Sequence, residues 1–501
     1  RWNDPAISSS ATRVLLNLPW DKPDDPAEIR ALLVNYGSED EMGRMRIAAA
    51  IFEKGPIVGT PALLRLVMED PSEDVCWEID TLLRYRRDAK SLEQIRQLDP
   101  TDARAAALAL CGWAWIPKDH PKALALLQRA VESEDKHPSF DSGEIDFAFQ
   151  VLTQNALADQ QYDRAAHFRR LQASRMAMSA KSDPTAIYQL FFLHARYGPL
   201  AGFAGDLRNF SAYLGHPEVL YALSKIYAHH GEIIESLACA QAAQSASLTC
   251  GSRITAAAFL ADGGSFDSAR REAALALNSN DPDTAVYRLQ ARLELAQWAG
   301  LNDDDAQAAE HLAAAMDLIH QIPADGMRIE QYGRVVEIND VASELAWRSA
   351  QIALNNHDDA AAKKNLDKLM QLSPSDPDIV QNAYSLLKSA GRDADAQKLF
   401  DASYTQAHQE LVQNPDDPVL MNQIAWLCAR CDQKLPEAME MSSRAVAAEP
   451  DSAAILDTFA EVNFRAGHAD QAVKLETRAL QFEPDDAFMA KQLARFRKSL
   501  P

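Results

Sequence analysis

Cys428 and Cys431 form a C-x-x-C pattern, the spacing used by redox disulfides and by zinc sites. On a helix, side chains at i and i+3 hold their Cβ atoms roughly 5–6 Å apart, whereas a disulfide requires about 3.8 Å. Zinc would need two further ligands, and the sequence has no second C-x-x-C or nearby pair of histidines. We therefore predict that these cysteines pack as small hydrophobic side chains, as do the other four: Cys76, Cys111, Cys239 and Cys250.

Two other polar clusters could bind a metal. His229 and His230 stand before Gly231, where imidazoles at a helix end cap carbonyl groups. The run Asp303–Asp305 lacks the alternating ligands and closing glutamate of a calcium loop. Negative charge is favourable at a helix N-terminus, so we expect the aspartates to begin a helix. We predict no metal site in either cluster.

Motifs of common enzyme classes are missing from the sequence. It contains no G-x-x-x-x-G-K-[ST] phosphate loop, no H-E-x-x-H zinc motif and no G-x-S-x-G nucleophile elbow. Carboxylates are plentiful, but no stretch has the pattern of a separate compact catalytic domain. We predict no enzymatic activity, no catalytic residues and no cofactor.

The composition is that of a folded, helix-rich chain. Hydrophobic residues make up 47% and charged residues 24% of the 501 residues, and only 19 are glycine. The net charge is −22, which would repel the phosphates of a nucleic acid. We therefore exclude nucleic acid as a partner and expect a protein or peptide, for which a basic character would match this charge.

No segment is apolar for long enough to cross a bilayer. The best run, Ala105–Pro117, has 13 uncharged residues against the roughly 20 required, and we interpret it as a buried helix. The sequence begins with Arg1 instead of methionine, so we expect that a signal peptide or membrane anchor once preceded it. The composition and motif style look bacterial. The compartment stays open, with the periplasm or cell envelope favoured over the cytoplasm.

A repeat of 34 residues is the main organising feature. The tripeptide Glu-Pro-Asp occurs at 449–451 and again at 483–485, and Ala438 and Ala472 are separated by the same interval. This is the length of one helix-turn-helix unit in a stacked solenoid. Such a unit cannot bury its apolar face alone, so several must stack and present an extended surface.

The last repeat contains the residues that two antiparallel helices need. Leu456, Phe459 and Ala460 would lie on the first helix, and Gly467 would end it in a left-handed conformation. Small side chains at Ala472 and Ala479 would let the second helix approach closely. Pro484 would then stop that helix, and Asp485 would cap the next one.

This pattern resembles the tetratricopeptide repeat (TPR) family in a bacterial variety. Small residues and a proline of the family motif match at Ala425, Ala438, Ala445 and Pro450, and again at Ala460, Ala472, Ala479 and Pro484. Looser matches occur at 377–403, 216–248 and 253–282. The resemblance implies an all-α fold, an α-solenoid in which TPR-like helical hairpins form a right-handed superhelix.

Residues 26–88 resemble HEAT-like helical pairs, with Gly55, Pro56 and Pro61 before one helix and the acidic turn at Asp70 before the next. We divide the chain into an irregular N-terminal arm (1–25), HEAT-like repeats (26–100), degenerate TPR-like hairpins (101–375), TPR repeats (376–484) and a C-terminal capping helix (485–501). In the capping helix, Phe488, Leu493 and Phe496 would face the last repeat, and Arg495 would lie on the polar side.

The TPR resemblance implies that the first helix of each unit lines a concave groove. The candidate groove residues are Tyr221, Lys225 and His229, Asn422, Trp426 and Arg430, and Asp457, Glu461, Phe464 and Arg465, with Glu218 and Val419 at equivalent positions. Trp426 could instead pack between units. Some members hold a C-terminal carboxylate with paired Lys and Asn side chains, but here Asn422 stands alone, which argues against that clamp.

These observations predict a non-catalytic scaffold or adaptor that binds a protein or peptide partner in the groove. One alternative is a structural protein that self-associates into a larger assembly or surface layer, and hence a homo-oligomer. A second is that the chain is the interaction half of a larger membrane-anchored or enzymatic polypeptide.

Overall fold

A computed structural model describes residues 15–85, 89–97, 105–136, 143–177, 184–246, 249–262, 265–278, 285–320, 330–331, 334–335, 338–372, 377–483 and 486–500. The chain divides into two compact units. Unit 1 comprises Arg1–Leu190 with Ala447–Asp451, and unit 2 comprises Phe191–Val446 with Ser452–Pro501.

Unit 1 is built from helices that pack mainly on their neighbours in the sequence. They are α1 (Ala27–Leu33), α2 (Glu41–Phe52), α3 (Gly55–Glu69), α4 (Glu73–Tyr85), α5 (Ala89–Arg96), α6 (Ala105–Trp115), α7 (His120–Lys136), α8 (Gly143–Ala158) and α9 (Tyr162–Ala177). A 3-10 turn spans Tyr36–Ser38, and α10 (Thr185–Tyr197) contains the boundary between the units.

Residues 17–26 contain no helix, and polar contacts attach this segment to α3. Arg65 pairs with Asp25 at 2.8 Å and donates a hydrogen bond to the carbonyl oxygen of Trp20 at 3.2 Å. The Trp20 side chain is buried and lies 4.9 Å from the ring of Tyr36. The predicted arm of residues 1–25 thus lies partly outside the described residues, and its described end packs on the first helices.

Unit 2 begins within α10, at Phe191. Its helices are α11 (Phe203–Asn209), α12 (Pro217–His229), α13 (Ile233–Ser245), α14 (Cys250–Asp262), α15 (Phe266–Leu277), α16 (Ala285–Leu301), α17 (Asp305–Ile319), α18 (Ile338–Asn355), α19 (Asp359–Leu372), α20 (Pro377–Ser389), α21 (Asp393–Gln413), α22 (Pro418–Arg430), α23 (Leu435–Ala448), α24 (Ala453–Arg465), α25 (Ala469–Phe482) and α26 (Ala487–Lys498). A 3-10 turn at Ser211–Tyr213 follows the first complete helix of the unit, α11. A two-residue antiparallel ladder joins β1 (Glu330–Gln331) to β2 (Arg334–Val335), with Glu330 opposite Val335.

The helices form consecutive hairpins, and many of the described hairpins close with the same kind of turn. In the turn after α12 the Glu232 N–H donates to the Tyr227 carbonyl, and in the turn after α24 the His468 N–H donates to the Asn463 carbonyl. This bond closes a Schellman cap, in which one residue adopts a left-handed conformation. The residues with positive φ at these turns include Gly231, Gly391 and Gly467, as well as Gln160, Asp303, His357 and Asp432.

Small residues lie where the paired helices meet. Ala438, Ala445, Ala472 and Ala479 are each 0% exposed, as the 34-residue pattern predicts. Within each unit, neighbouring hairpins of the described residues pack on each other in chain order, and the fold is the predicted all-α solenoid.

Several predicted helix ends can be checked. Gly467 has a φ of +85°, which confirms the predicted left-handed end of α24. The aspartate run also begins a helix as predicted, since the Asp304 carboxylate accepts a hydrogen bond from the Gln307 N–H at 3.0 Å. Pro484 and Asp485 lie outside the described residues. Asp486, rather than the predicted Asp485, caps α26 by accepting from the Met489 N–H at 2.8 Å.

Among the described helices, none combines the length and the apolar character that crossing a membrane requires.

Candidate functional site

Four first helices of successive hairpins, α20, α22, α24 and α26, bring most of the predicted groove residues together. We call the set of their interacting polar and aromatic side chains the first-helix surface. It consists of Asp378 and Gln381, Asn422, Trp426 and Arg430, Asp457, Glu461, Phe464 and Arg465, and Phe488, Gln492 and Arg495.

Trp426 is held by side chains from its own helix and two others. Its indole N–H donates to the Asp378 carboxylate at 3.0 Å, and its ring meets that of Phe488 edge-on, with 5.9 Å between centroids. The Arg430 guanidinium lies 5.3 Å from the indole centroid, within range of a cation–π interaction. The ring remains partly exposed, so Trp426 both packs between hairpins and contributes to the surface.

Val419, Asn422 and Trp426 share one face of α22 because they are three and four residues apart. Val419 is 49% exposed, and Trp426 is partly exposed. The Asn422 Oδ1 atom between them is shielded from water and has no hydrogen-bond partner among the described residues. This face therefore offers an apolar contact.

Arginines surround the Glu461 carboxylate, which is 0% exposed. The Arg465 Nε–H donates to it at 2.8 Å, Arg495 of α26 forms a second hydrogen-bonded ion pair, and Arg430 lies 3.7 Å away. Arg430 also donates to the Gln381 Oε1 atom at 2.6 Å. Burial lowers the pKa of Arg430, and the Glu461 charge opposes this shift. The cluster links all four first helices.

Asp457 and Glu476 form a second buried group. Gln492 of α26 donates a hydrogen bond to Asp457, and neither carboxyl side chain is exposed by more than 7%. Burial raises the pKa of both carboxyl groups, and the Asp457 charge raises the pKa of Glu476 further. Two adjacent carboxylates cannot both ionise cheaply away from water, so this pair holds a proton at neutral pH.

The C-terminal helix covers the predicted groove residues of α24. The ring of Phe464 packs on that of Phe496 with 4.7 Å between centroids, and Arg495 lies 4.9 Å from each ring centroid. Asp457, Glu461 and Phe464 therefore face α26 instead of an open groove. Arg495, predicted on the polar side of this helix, keeps 37% of its side chain exposed while its guanidinium pairs with the buried Glu461 charge.

The predicted groove residues of α12 lie in environments different from those of α22 and α24. Tyr221 is 4% exposed, and its hydroxyl donates to Glu272 of α15 at 2.7 Å, so it belongs to the core. Glu218 is also buried, and burial raises the pKa of its carboxyl group to about 7. Lys225 lines a cavity, and His229 is exposed at the end of the helix.

The cysteine prediction is confirmed for Cys428 and Cys431. Both side chains lie in the hydrophobic core of the C-terminal hairpins, at 0% and 2% exposure. Burial raises the pKa of each thiol to about 12, which keeps it in the unreactive protonated form. Within the described part of the chain, no group of three or more His, Cys, Asp or Glu side chains could hold a metal ion.

Searches against protein-family models and against curated proteins find no match to this sequence. Solved structures do match. Yeast Tom70 is 13% identical, with a TM-score of 0.33 over 98% of this chain and 96% of that chain. The Cut9 structure in the APC/C hetero-tetramer Cut9-Hcn1 is 12% identical, with a TM-score of 0.28 over 99% and 94%.

A third similar structure is YrrB, described as a TPR protein with an unusual peptide-binding site. It is 13% identical, with a TM-score of 0.19, and covers 44% of this chain and 98% of that chain. At these TM-scores, none of the three similarities supports a conclusion about function.

Proposed function

We propose that this chain is a non-catalytic scaffold of TPR-type hairpins that binds a protein or peptide beside Trp426, the partly exposed tryptophan of the first-helix surface. The observation that carries the proposal is the exposed face of α22. There, the exposed Val419 and the partly exposed Trp426 offer an apolar contact on one helix face. An apolar side chain of a peptide that lies in the groove would pack on this contact.

The partner would carry basic residues near its apolar anchor. The chain's net charge of −22 attracts cationic segments over long distances. Asp378, which accepts the Trp426 indole N–H, adds a carboxylate beside the apolar contact. Such an attraction weakens as salt screens it, so the association rate should fall between low and physiological ionic strength.

The experiment is selection of peptides from a displayed library, followed by titration of a selected peptide against purified variants. Trp426→Ala should weaken binding about tenfold or more, since aromatic anchors dominate peptide interfaces. Val419→Ala should weaken it by a smaller factor. The matched controls are Trp77→Ala, at a tryptophan 48% exposed in unit 1, and Val412→Ala, at a valine 62% exposed in α21.

If the Trp77 and Trp426 variants bind equally well, the peptide surface lies elsewhere. If the library yields no peptide that binds saturably, the scaffold proposal loses its support.

Self-association is a second candidate, favoured by helix α13. Ile233, Ile234 and Leu237 are 57%, 80% and 59% exposed, and Glu235 is the helix's single charged residue. A second copy of the helix would match this apolar face. Light scattering at several concentrations tests it: a mass that rises with concentration and returns to the monomer value in Ile234→Lys supports assembly, and a constant monomer mass rejects it.

We further propose that residues 26–100 form HEAT-like repeats and that the TPR repeats begin after residue 375 and end at residue 484. We also propose that the protein is bacterial and is located in the cell envelope.

A further inference from the structure

Unit 2 contains a cavity of about 500 Å³ at the start of helix α15. Its walls come from four helices and include Lys225 of α12, Ser265 and Phe266 at the start of α15, Trp298 of α16 and Lys491 of α26. This volume lies in the range of pockets that bind small ligands.

The N-terminus of α15 lacks the usual side-chain cap. A serine at the N-cap ordinarily accepts a hydrogen bond from one of the first backbone N–H groups, which have no partner inside the helix. Ser265 makes no such bond, and its hydroxyl has no partner among the described residues, although Ser265 is only 7% exposed. The helix start therefore presents donor groups and an unused hydroxyl at the cavity wall, where the helix dipole favours an anion.

Lys225 adds a cation that has no counter-charge in the part of the chain that the structure describes. Among the described residues, no carboxylate pairs with its ammonium group, and burial together with the nearby Arg196 cation lowers its pKa. The other cations at the cavity are already neutralised: Arg270 by Asp267 at 2.7 Å, and Lys491 by Asp303 at 2.9 Å. A partly buried cation without an anion is costly, so the site would gain stability from an incoming negative group.

We propose that this cavity binds a phosphoryl group through Lys225, the Ser265 hydroxyl and the free N–H groups at the start of α15. A phosphoryl group has three acceptor oxygens and close to two negative charges at neutral pH, which suits several converging donors beside a cation. The remaining volume, bounded by Phe266 and Trp298, accommodates the small organic group that bears the phosphate.

Isothermal titration of the full chain tests the site with inorganic phosphate and with an O-phosphoserine peptide of three residues. Acetate and the unphosphorylated peptide serve as comparison ligands. We expect saturable binding of both phosphoryl ligands and at least tenfold weaker binding of acetate. Tighter binding of the peptide than of phosphate would identify a phosphorylated side chain as the source, and the reverse order would identify a free phosphate.

The variants are Lys225→Met and Ser265→Ala, with Lys474→Met as the control at an exposed lysine of α25. We expect each site variant to weaken phosphate binding about tenfold and the control to leave it unchanged. Ser265→Ala should keep the melting temperature, since its hydroxyl makes no hydrogen bond, so lost binding cannot be attributed to unfolding. Equal affinities for phosphate in all the proteins, or no saturable phosphate binding by the wild type, would overturn the proposal.

Discussion

Arg495 of the last helix forms an ion pair with the fully buried Glu461 of α24, 34 residues earlier in the sequence. The separation equals the repeat length, so α26 lies where the first helix of a further hairpin would begin. Helix α26 thus supplies a counter-charge to the preceding repeat and also covers its apolar side.

Removing this arginine should destabilise the C-terminal hairpins. In Arg495→Ala the buried Glu461 charge keeps two of its three arginine partners, Arg430 and Arg465. We expect the free energy of unfolding to fall by about 1–3 kcal/mol, less than for a fully buried pair, since Arg495 is partly exposed. Urea unfolding followed by circular dichroism measures it. Arg497→Ala, at an exposed position of the same helix, should change stability by less than about 0.5 kcal/mol.

The Asp457–Glu476 pair should make stability fall as pH rises. Both carboxyl groups have raised pKa values in the folded protein, whereas in an unfolded chain they titrate near about 4. The folded state then binds more protons above that pH. The stability that these protons contribute is complete below about pH 4 and is lost as pH rises through the pKa values that the two carboxyl groups have in the folded protein.

Glu476→Gln removes one of these titrating groups. The variant should therefore lose less stability than the wild type between pH 5 and pH 8, as measured by urea unfolding at both values. Glu440→Gln, at an exposed glutamate of α23, is the control and should keep the wild-type slope. A slope unchanged in Glu476→Gln would contradict the assignment.

Replacing the small residues at the helix contacts with larger ones should destabilise the protein. Ala472→Leu or Ala479→Leu should each lower stability by about 1–3 kcal/mol through overpacking, because both side chains are fully buried between α25 and its neighbours. Gln481→Leu, on the exposed side of α25, should be tolerated. Thermal unfolding compares the three, and equal melting temperatures would argue against this helix register.

Cysteine reactivity should follow burial. Cys239 is partly buried, whereas the other five cysteines are buried. Iodoacetamide should label Cys239 first in the native protein, and Cys428 and Cys431 should react only after denaturant exposes them. Mass spectrometry of digested samples at successive times identifies the order. Rapid native labelling at Cys428 would refute its core position.

The turns between helices show which left-handed residues can be predicted from the sequence and which cannot. Glycine signals a left-handed residue, so the turns at Gly231, Gly391 and Gly467 can be predicted. Asp303 and His357 adopt the same conformation, yet their side chains occur in many other settings. Only the surrounding hairpin geometry imposes positive φ there, and hence the degenerate repeats are harder to delimit from the sequence.

The groove residues are predicted from helix position alone, which does not reveal what covers them. Tyr221 and Trp426 occupy equivalent faces of their helices, but Glu272 draws the tyrosine hydroxyl into the core. Phe464 is expected on an open surface and instead packs against Phe496. Such outcomes depend on interactions between different hairpins, which no local sequence pattern encodes.

Lys491 donates hydrogen bonds to the Leu301 carbonyl at 2.6 Å and to the Asp303 carboxylate at 2.9 Å, across 190 and 188 residues. Helix α26 thus packs on α25 and also has a second anchor far back in unit 2, and that anchor is ionic and exposed. Detachment of α26 from this anchor should therefore respond to salt, so ionic strength would control how readily α26 separates from the start of α17.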